Sequence, residues 1–178
     1  VICGEVRVPL ADLRRAAEES EHVLALARKA YGSPRSVAFN VHGFRVAIDS
    51  RTGELRILQS VQAADAGVVV NPRQCRGQIE GGIAQALGAA LYEEVLIADG
   101  GKVETDVLRQ YHIPTFADVP RSEIYFAETT DALGPRGAKS MSESPFNPVA
   151  PALANAVRDA TGIRFTRTPI RRDDIYLA

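Results

Sequence analysis

Apolar and polar residues recur with two different periods along this chain, and the switches between them mark its elements. Over Pro9 to Ala30, residues Leu13, Ala16, Ala17, Val23, Leu24, Ala27 and Ala30 fall near one stripe, ringed by Arg14, Arg15, Glu18, Glu19, Arg28 and Lys29. That spacing predicts an amphipathic helix, with Asp12 as its N-cap and Tyr31-Gly32-Ser33-Pro34 as its stop. Next, Val37 to Asp49 and Glu54 to Gln62 alternate apolar and polar positions on either side of Ser50-Arg51-Thr52-Gly53. Two such runs flanking a glycine turn predict an antiparallel hairpin, Phe39–Asp49 against Glu54–Gln62. The apolar run from Ala66 to Asn71 has the length of an interior strand.

Asn71-Pro72 opens a second helix, since Asn caps well and Pro suits the first helical position. Ile79, Ile83, Leu87 and Leu91 follow at intervals of four. Gly77, Gly81, Gly82 and Gly88 interrupt this helix, each costing about 1 kcal/mol against alanine. Such a set points to close approach by another backbone or by a ligand, with helix-on-sheet packing as the plainer explanation. Asp99-Gly100-Gly101 reads as a turn, Lys102–Thr105 and Glu123–Glu128 as strands, and Tyr111–Pro120 as a loop. Asp131 to Pro148 is irregular. A third helix begins near Pro151 and stops at Gly162. The tail from Pro169, with Arg171-Arg172-Asp173-Asp174, reads as solvated. Together these elements predict an α+β fold in one domain, residues 1–178: a mainly antiparallel sheet covered by three helices.

Composition narrows the function. Of 178 residues, 46% are apolar and 24% charged, which is the balance of a folded globular chain. The net charge of −1 supplies no field for non-specific nucleic-acid binding. No apolar run reaches the ~18 residues of a membrane span. Cys3 and Cys75 are the only cysteines, too few for an iron–sulfur cluster. His22, His42 and His112 lack the close spacing of a zinc site, and His42 reads as structural. The opening Val1-Ile2-Cys3-Gly4-Glu5-Val6-Arg7-Val8 reads as a strand already under way, so the chain reads as a piece of a longer polypeptide.

Within Gly134-Pro135-Arg136-Gly137-Ala138-Lys139-Ser140-Met141-Ser142-Glu143-Ser144-Pro145, Glu143 is a single carboxylate among small residues. A carboxylate in a dry loop suits general-base chemistry, while an exposed loop glutamate is the plainer reading. A hydrolase using Cys75 or Ser140 is a further alternative: Cys75 falls in a helical first turn, where a thiolate is favoured. Neither Ser140 nor Ser142 sits in a Gly-x-Ser-x-Gly elbow, and no P-loop is present.

The segments Asp65-Ala66-Gly67-Val68-Val69-Val70-Asn71-Pro72, Gly77-Gln78-Ile79-Glu80-Gly81-Gly82, Leu87-Gly88-Ala89-Ala90-Leu91-Tyr92-Glu93-Glu94, Gly137-Ala138-Lys139 to Glu143, and Ala154 to Gly162 occur in this order. In that joint pattern the chain resembles the C-terminal region of the molybdopterin-binding large subunit of molybdenum hydroxylases. This is the xanthine dehydrogenase and aldehyde oxidase family, with closest similarity to the isoquinoline 1-oxidoreductase type. The resemblance covers Phe39 to Ala178. It implies hydroxylation of an electron-poor carbon of an N-heterocycle or an aldehyde, with water as the oxygen source. Glu143 is then the base that deprotonates the attacking hydroxyl. Gln78, Gly81, Gly82, Lys139 and Ser140 become cofactor-binding residues, with no metal ligand from this chain. The implied cofactor is molybdopterin, in its cytosine dinucleotide form. The implied partners are the remainder of the large subunit, an iron–sulfur electron-transfer subunit and a small-molecule substrate, in a bacterial cytoplasm or periplasm. The chain on its own is expected to be inactive and empty of cofactor. The family's two glycines before the glutamate are Ser140 and Ser142 here. That departure raises a second possibility, a binding or assembly module that kept the fold without the site.

Overall fold

The computed structural model describes residues 2–21 and 36–177. The chain forms two compact units, residues 1–34 and 35–178, where the sequence reads as one domain. In the first unit, β1 (Ile2–Cys3) pairs antiparallel with β2 (Val6–Arg7). The expected single strand is thus folded back at Gly4, which takes φ 61°. Helix α1 runs over Leu10–Glu19. Its N-cap is Pro9 rather than Asp12, which lies in the first turn and pairs with Arg15. The Ser20 hydroxyl bonds back to the Ala16 carbonyl at 2.6 Å, and Glu21 leaves the helix at φ 55°. The expected continuation to Ala30, and its Tyr31–Pro34 stop, fall outside the described residues.

The second unit begins with the expected hairpin. Strand β3 (Asn40–Ile48) pairs antiparallel with β4 (Leu55–Ala64), closed by Asp49–Glu54 with Gly53 at φ 67°. Asn40, His42, Phe44, Val46 and Ile48 turn inward along β3. On β4 the alternation breaks. Arg45 pairs with Gln59 and Val46 with Ile57, leaving Leu58 as an unpaired bulge. Before it, Leu55 and Ile57 face the core; after it, Ser60, Gln62 and Ala64 do. Continued alternation would have buried Val61 instead, so the bulge exchanges apolar for polar residues on the inner face.

From the end of β4 the chain crosses through α2 (Pro72–Leu91) to β5 (Ser122–Phe126). A crossover of this length brings the next strand in parallel, and β5 pairs parallel with β4, giving the order β3-β4-β5. The fold is α+β with its longest ladder antiparallel. Asn71 caps α2, its side chain accepting from the Gln74 amide at 3.0 Å. Ile79, Ile83, Ala86, Leu87 and Ala90 form one core with Ala64, Val149 and Leu153. Helix α3 (Val149–Thr161) begins two residues before the expected Pro151, and Gly162 stops it at φ 78°.

Three expectations change. Ala66–Asn71 forms no strand, because Gly67 takes φ 60° and turns the chain to bridge Ala138. Lys102–Thr105 reduces to one bridge, Val103 with Ile97. The C-terminal tail is packed: α4 (Arg172–Tyr176) buries Ile170 and Ile175 against Val157, and Arg172 donates to the Thr52 carbonyl at 2.8 Å. Its apolar Ile170 and Ile175 outweigh the local charge cluster.

Candidate functional site

The first turns of α2 and the loop before α3 meet on an exposed surface. Gln78 projects from α2, and its Nε2 donates to the Ser142 carbonyl at 2.9 Å. Glu143 is the next residue and is exposed, with its carbonyl accepting from the Phe146 amide at 3.0 Å. Gly82, one helical turn on, faces Pro145; a Cβ there would lie 3.0 Å from the proline Cβ. Gln78, Gly82, Ser142, Glu143 and Pro145 are therefore brought together, although the helix and the loop lie more than sixty positions apart in the chain.

The other predicted site residues behave differently. Gly77 and Gly81 open to solvent, and a Cβ added at either would meet nothing within 4 Å. Packing thus accounts for Gly82, and no packing accounts for Gly77 or Gly81. Ser140 is exposed. Lys139 is committed to a partner beneath the loop: its Nζ lies 2.6 Å from Asp65 Oδ2, with both side chains nearly buried. Neither Ser140 nor Ser142 has positive φ. Glycine is therefore not required at either position by backbone conformation, and the two serines introduce no strain there.

Sequence reading missed the support beneath this loop. Asp65, at the end of β4, accepts from the Gly67 amide at 3.1 Å and from the Thr129 hydroxyl, in addition to Lys139. Burial disfavours its charge, yet the Lys139 ammonium, the Thr129 hydroxyl and two backbone amides outweigh that and hold its pKa at about 2. The Lys139 amide donates to the Ala66 carbonyl at 2.8 Å, and the Val68 amide to Gly137 at 2.9 Å. At Gly67 a Cβ would overlap the Gly137 carbonyl oxygen, so only glycine permits this approach.

Gln62 is a second unanticipated element. It is fully buried, and its Nε2 donates to the Pro145 carbonyl at 3.0 Å. Beside it, His42 Nε2 lies 3.0 Å from Ser60 Oγ, which in turn lies 2.8 Å from Ser122 Oγ. His42 stacks on Phe44 at 4.2 Å. The ring's structural reading agrees with this setting: burial lowers its pKa to about 4, against a weaker upward pull from Gln62. The only signal in the sequence was the cluster of polar residues Gln59, Ser60 and Gln62 in the second half of the strand, and strict alternation from Leu55 would have placed Ser60 and Gln62 outside.

Cys75 is half-buried against the main core, and burial raises its thiol pKa. The thiolate expected from a helical first turn is therefore disfavoured, and with it the cysteine-hydrolase alternative. Among the described residues, no group of three or more His, Cys, Asp or Glu side chains is placed to hold a metal ion.

The molybdopterin cofactor-binding domain family matches residues 3–120. This chain belongs to that family. It is 36% identical over 165 residues to the molybdenum-binding subunit of an Escherichia coli aldehyde oxidoreductase, covering 91% of this chain and 22% of that subunit. It also resembles the nicotine 6-hydroxylase large subunit of Paenarthrobacter nicotinovorans, 33% identical, covering 74% of this chain and 16% of that protein. The fold superimposes on quinoline 2-oxidoreductase from Pseudomonas putida with a TM-score of 0.71 and 38% identity, covering 74% of this chain and 17% of the other. The chain thus spans about a fifth of the length of the curated relatives it matches.

Proposed function

We propose that this chain is the part of a molybdenum hydroxylase large subunit that presents the catalytic base and one wall of the molybdopterin site. The observation that carries the reading is the joining of Gln78 to the Ser142 carbonyl, next to Glu143, on the glycine-lined face of α2. The residues fit the group. Gly77 and Gly81 leave backbone uncovered on both sides of the Gln78 carboxamide without any packing need for them. A flat, polar ligand can lie against such a face, with Gln78 and Gly81 along it, Gly82 beside them backing onto Pro145, and the backbone of Lys139 and Ser140 at its edge. When bound, a molybdenum–dithiolene cofactor supplies two-electron redox chemistry that no side chain here provides.

The chain's own contribution is placement and proton transfer. Glu143 accepts the proton of the attacking hydroxyl at its carboxylate, in a loop where the carbonyls of Ser142, Glu143 and Pro145 are already bonded. The substrate class is an electron-poor carbon of an N-heterocycle or an aldehyde, supported by relatives named for aldehyde, nicotine and quinoline oxidation. The cofactor is taken to be the cytosine dinucleotide form, and the partners the rest of the large subunit and an iron–sulfur subunit. The ordinary backbone at Ser140 and Ser142 is compatible with a working base loop, and a non-catalytic binding or assembly module is the alternative that the test below separates from it.

The test is Glu143→Gln in the full-length subunit with its partners. Glutamine is nearly isosteric but cannot take the proton, so turnover should fall by roughly 10²–10⁴-fold while molybdenum and pterin content stay at wild-type levels. Turnover within about threefold of wild type, a change too small for a lost general base, would remove Glu143 from the base role.

A further inference from the structure

Resting on that reading, we infer that the C-terminal end of β4 is the seat of the base loop, with Gln62, Asp65 and Lys139 as positioning residues for Glu143. The loop is gripped on both sides of the glutamate. Four residues before it, Lys139 Nζ reaches Asp65 Oδ2 at 2.6 Å; two residues after it, the Pro145 carbonyl takes the Gln62 carboxamide at 3.0 Å. Both anchors, Gln62 and Asp65, stand close together on one continuous run of backbone. The Lys139 amide adds a bond to the Ala66 carbonyl from the same run.

Each anchor is buried, so water competes little for it. Gln62 is fully buried, and Lys139 and Asp65 keep only 12% and 8% side-chain exposure. The bulge at Leu58 is what turns Gln62 inward: without it, residue 62 would point to the other face of the sheet and Pro145 would lose its donor. Among the described residues, Gln62 Oε1 and His42 Nδ1 are both buried without a hydrogen-bond partner of good geometry, and Gln62 supports the ring only as a weak upward pull on its pKa. A polar pair retained there is costly for stability alone, and it is explained if Gln62 serves the loop. Lys139, which the family pattern would place at the cofactor, instead commits its ammonium to Asp65. Its effect on the reaction passes through the loop it begins.

The experiment uses the full-length subunit assembled with its partners and compares three variants. Gln62→Leu removes one anchor. The double variant Asp65→Asn/Lys139→Met removes the other without stranding a buried charge, and the carboxamide oxygen it places at position 65 can still accept from Gly67 and Thr129. Glu143→Gln reports the base itself. Steady-state kinetics, molybdenum content and amide hydrogen exchange over residues 137–147 are measured for each. Both anchor variants should lower kcat by roughly 10–100-fold, the scale of a misplaced catalytic group, with KM and molybdenum content unchanged. Amides of 140–146 should exchange at least about tenfold faster while those of α2 and α3 keep their protection, the signature of local opening. Loop exchange that is unchanged, or that rises equally across α2 and α3, would overturn the proposal. So would kcat within about threefold of wild type in both anchor variants while Glu143→Gln is inactive. If Glu143→Gln stays active, the base assignment fails, and positioning of Glu143 for catalysis fails with it; the loop-exchange data then report only whether β4 anchors the segment.

Discussion

The pKa values of His42 and Asp65 both lie below their ordinary values, for different physical reasons, so each makes the chain less stable as pH falls, in its own window. The His42 ring has a pKa of about 4 against an ordinary 6.5, because burial penalises its charged form more than Gln62 supports it. Between these values the unfolded chain holds a proton that the folded chain does not, so stability falls as pH drops from about 6.5 to about 4. The full effect is at most on the order of 3 kcal/mol by the usual conversion. In His42→Gln, urea unfolding of the 178-residue chain should lose that slope. An unaltered slope between pH 4 and 6.5 would show that His42 is not its source. Asp65 contributes in a lower window: its folded pKa of about 2 lies below the ordinary 3.8, so its share of stability is present above 3.8 and disappears as pH falls through 2. In Asp65→Asn, the steepening of acid unfolding below about pH 4 should be reduced, with an overall loss because Lys139 keeps a buried, unpaired ammonium.

At the scale of elements, α2 carries two demands that pull apart. Its buried face, with Ile79, Ile83 and Leu87, needs helix and apolar bulk. Its exposed face spends glycine, the poorest helix former after proline, at positions 77 and 81. Gly81→Ala meets open space, so it should stabilise the isolated chain by about 1 kcal/mol, seen as a higher thermal midpoint. In the full-length subunit the same change should lower cofactor retention if this face lies against the pterin. Gly82→Ala should gain less or lose stability, because its Cβ would press on Pro145 at 3.0 Å. Equal stabilisation by both changes would contradict the packing described for Gly82. The helix, its Asn71 cap and its apolar spacing were all legible in the sequence, because capping and i, i+4 spacing are local properties. Which glycines pack and which lie open was not, since Gly82 meets Pro145 of a loop more than sixty residues away, and Gly88 meets Glu93 and Pro114 beyond the helix.

For the whole molecule, the second unit leaves Phe39, Val41, Leu108 and Phe116 exposed. The relatives are about four to five times as long as this chain, and if these residues supply one wall of a cofactor site, as proposed, that wall retains a cofactor poorly without the others. The chain expressed alone is therefore expected to carry far less than stoichiometric molybdenum by elemental analysis. About one molybdenum per chain would show that these 178 residues form a sufficient site.

The hairpin, the second and third helices, the α+β class and the family were determined by the sequence alone. They rest on period, turn chemistry and motif order, which are written in neighbouring residues. The site's support was decided only by tertiary structure. One bulge at Leu58 inverted the faces of β4 and carried Gln62 beneath Pro145; period counting assumes an unbroken pleat and put Val61 there instead. The Asp65–Lys139 pair spans 74 positions, and its burial depends on Gly67 letting two backbones meet. The parallel β5 and the packed C-terminal helix likewise followed from where α2 and the core left room. Long-range contacts of this kind depend on burial and register, and neither is encoded in any short window of the chain.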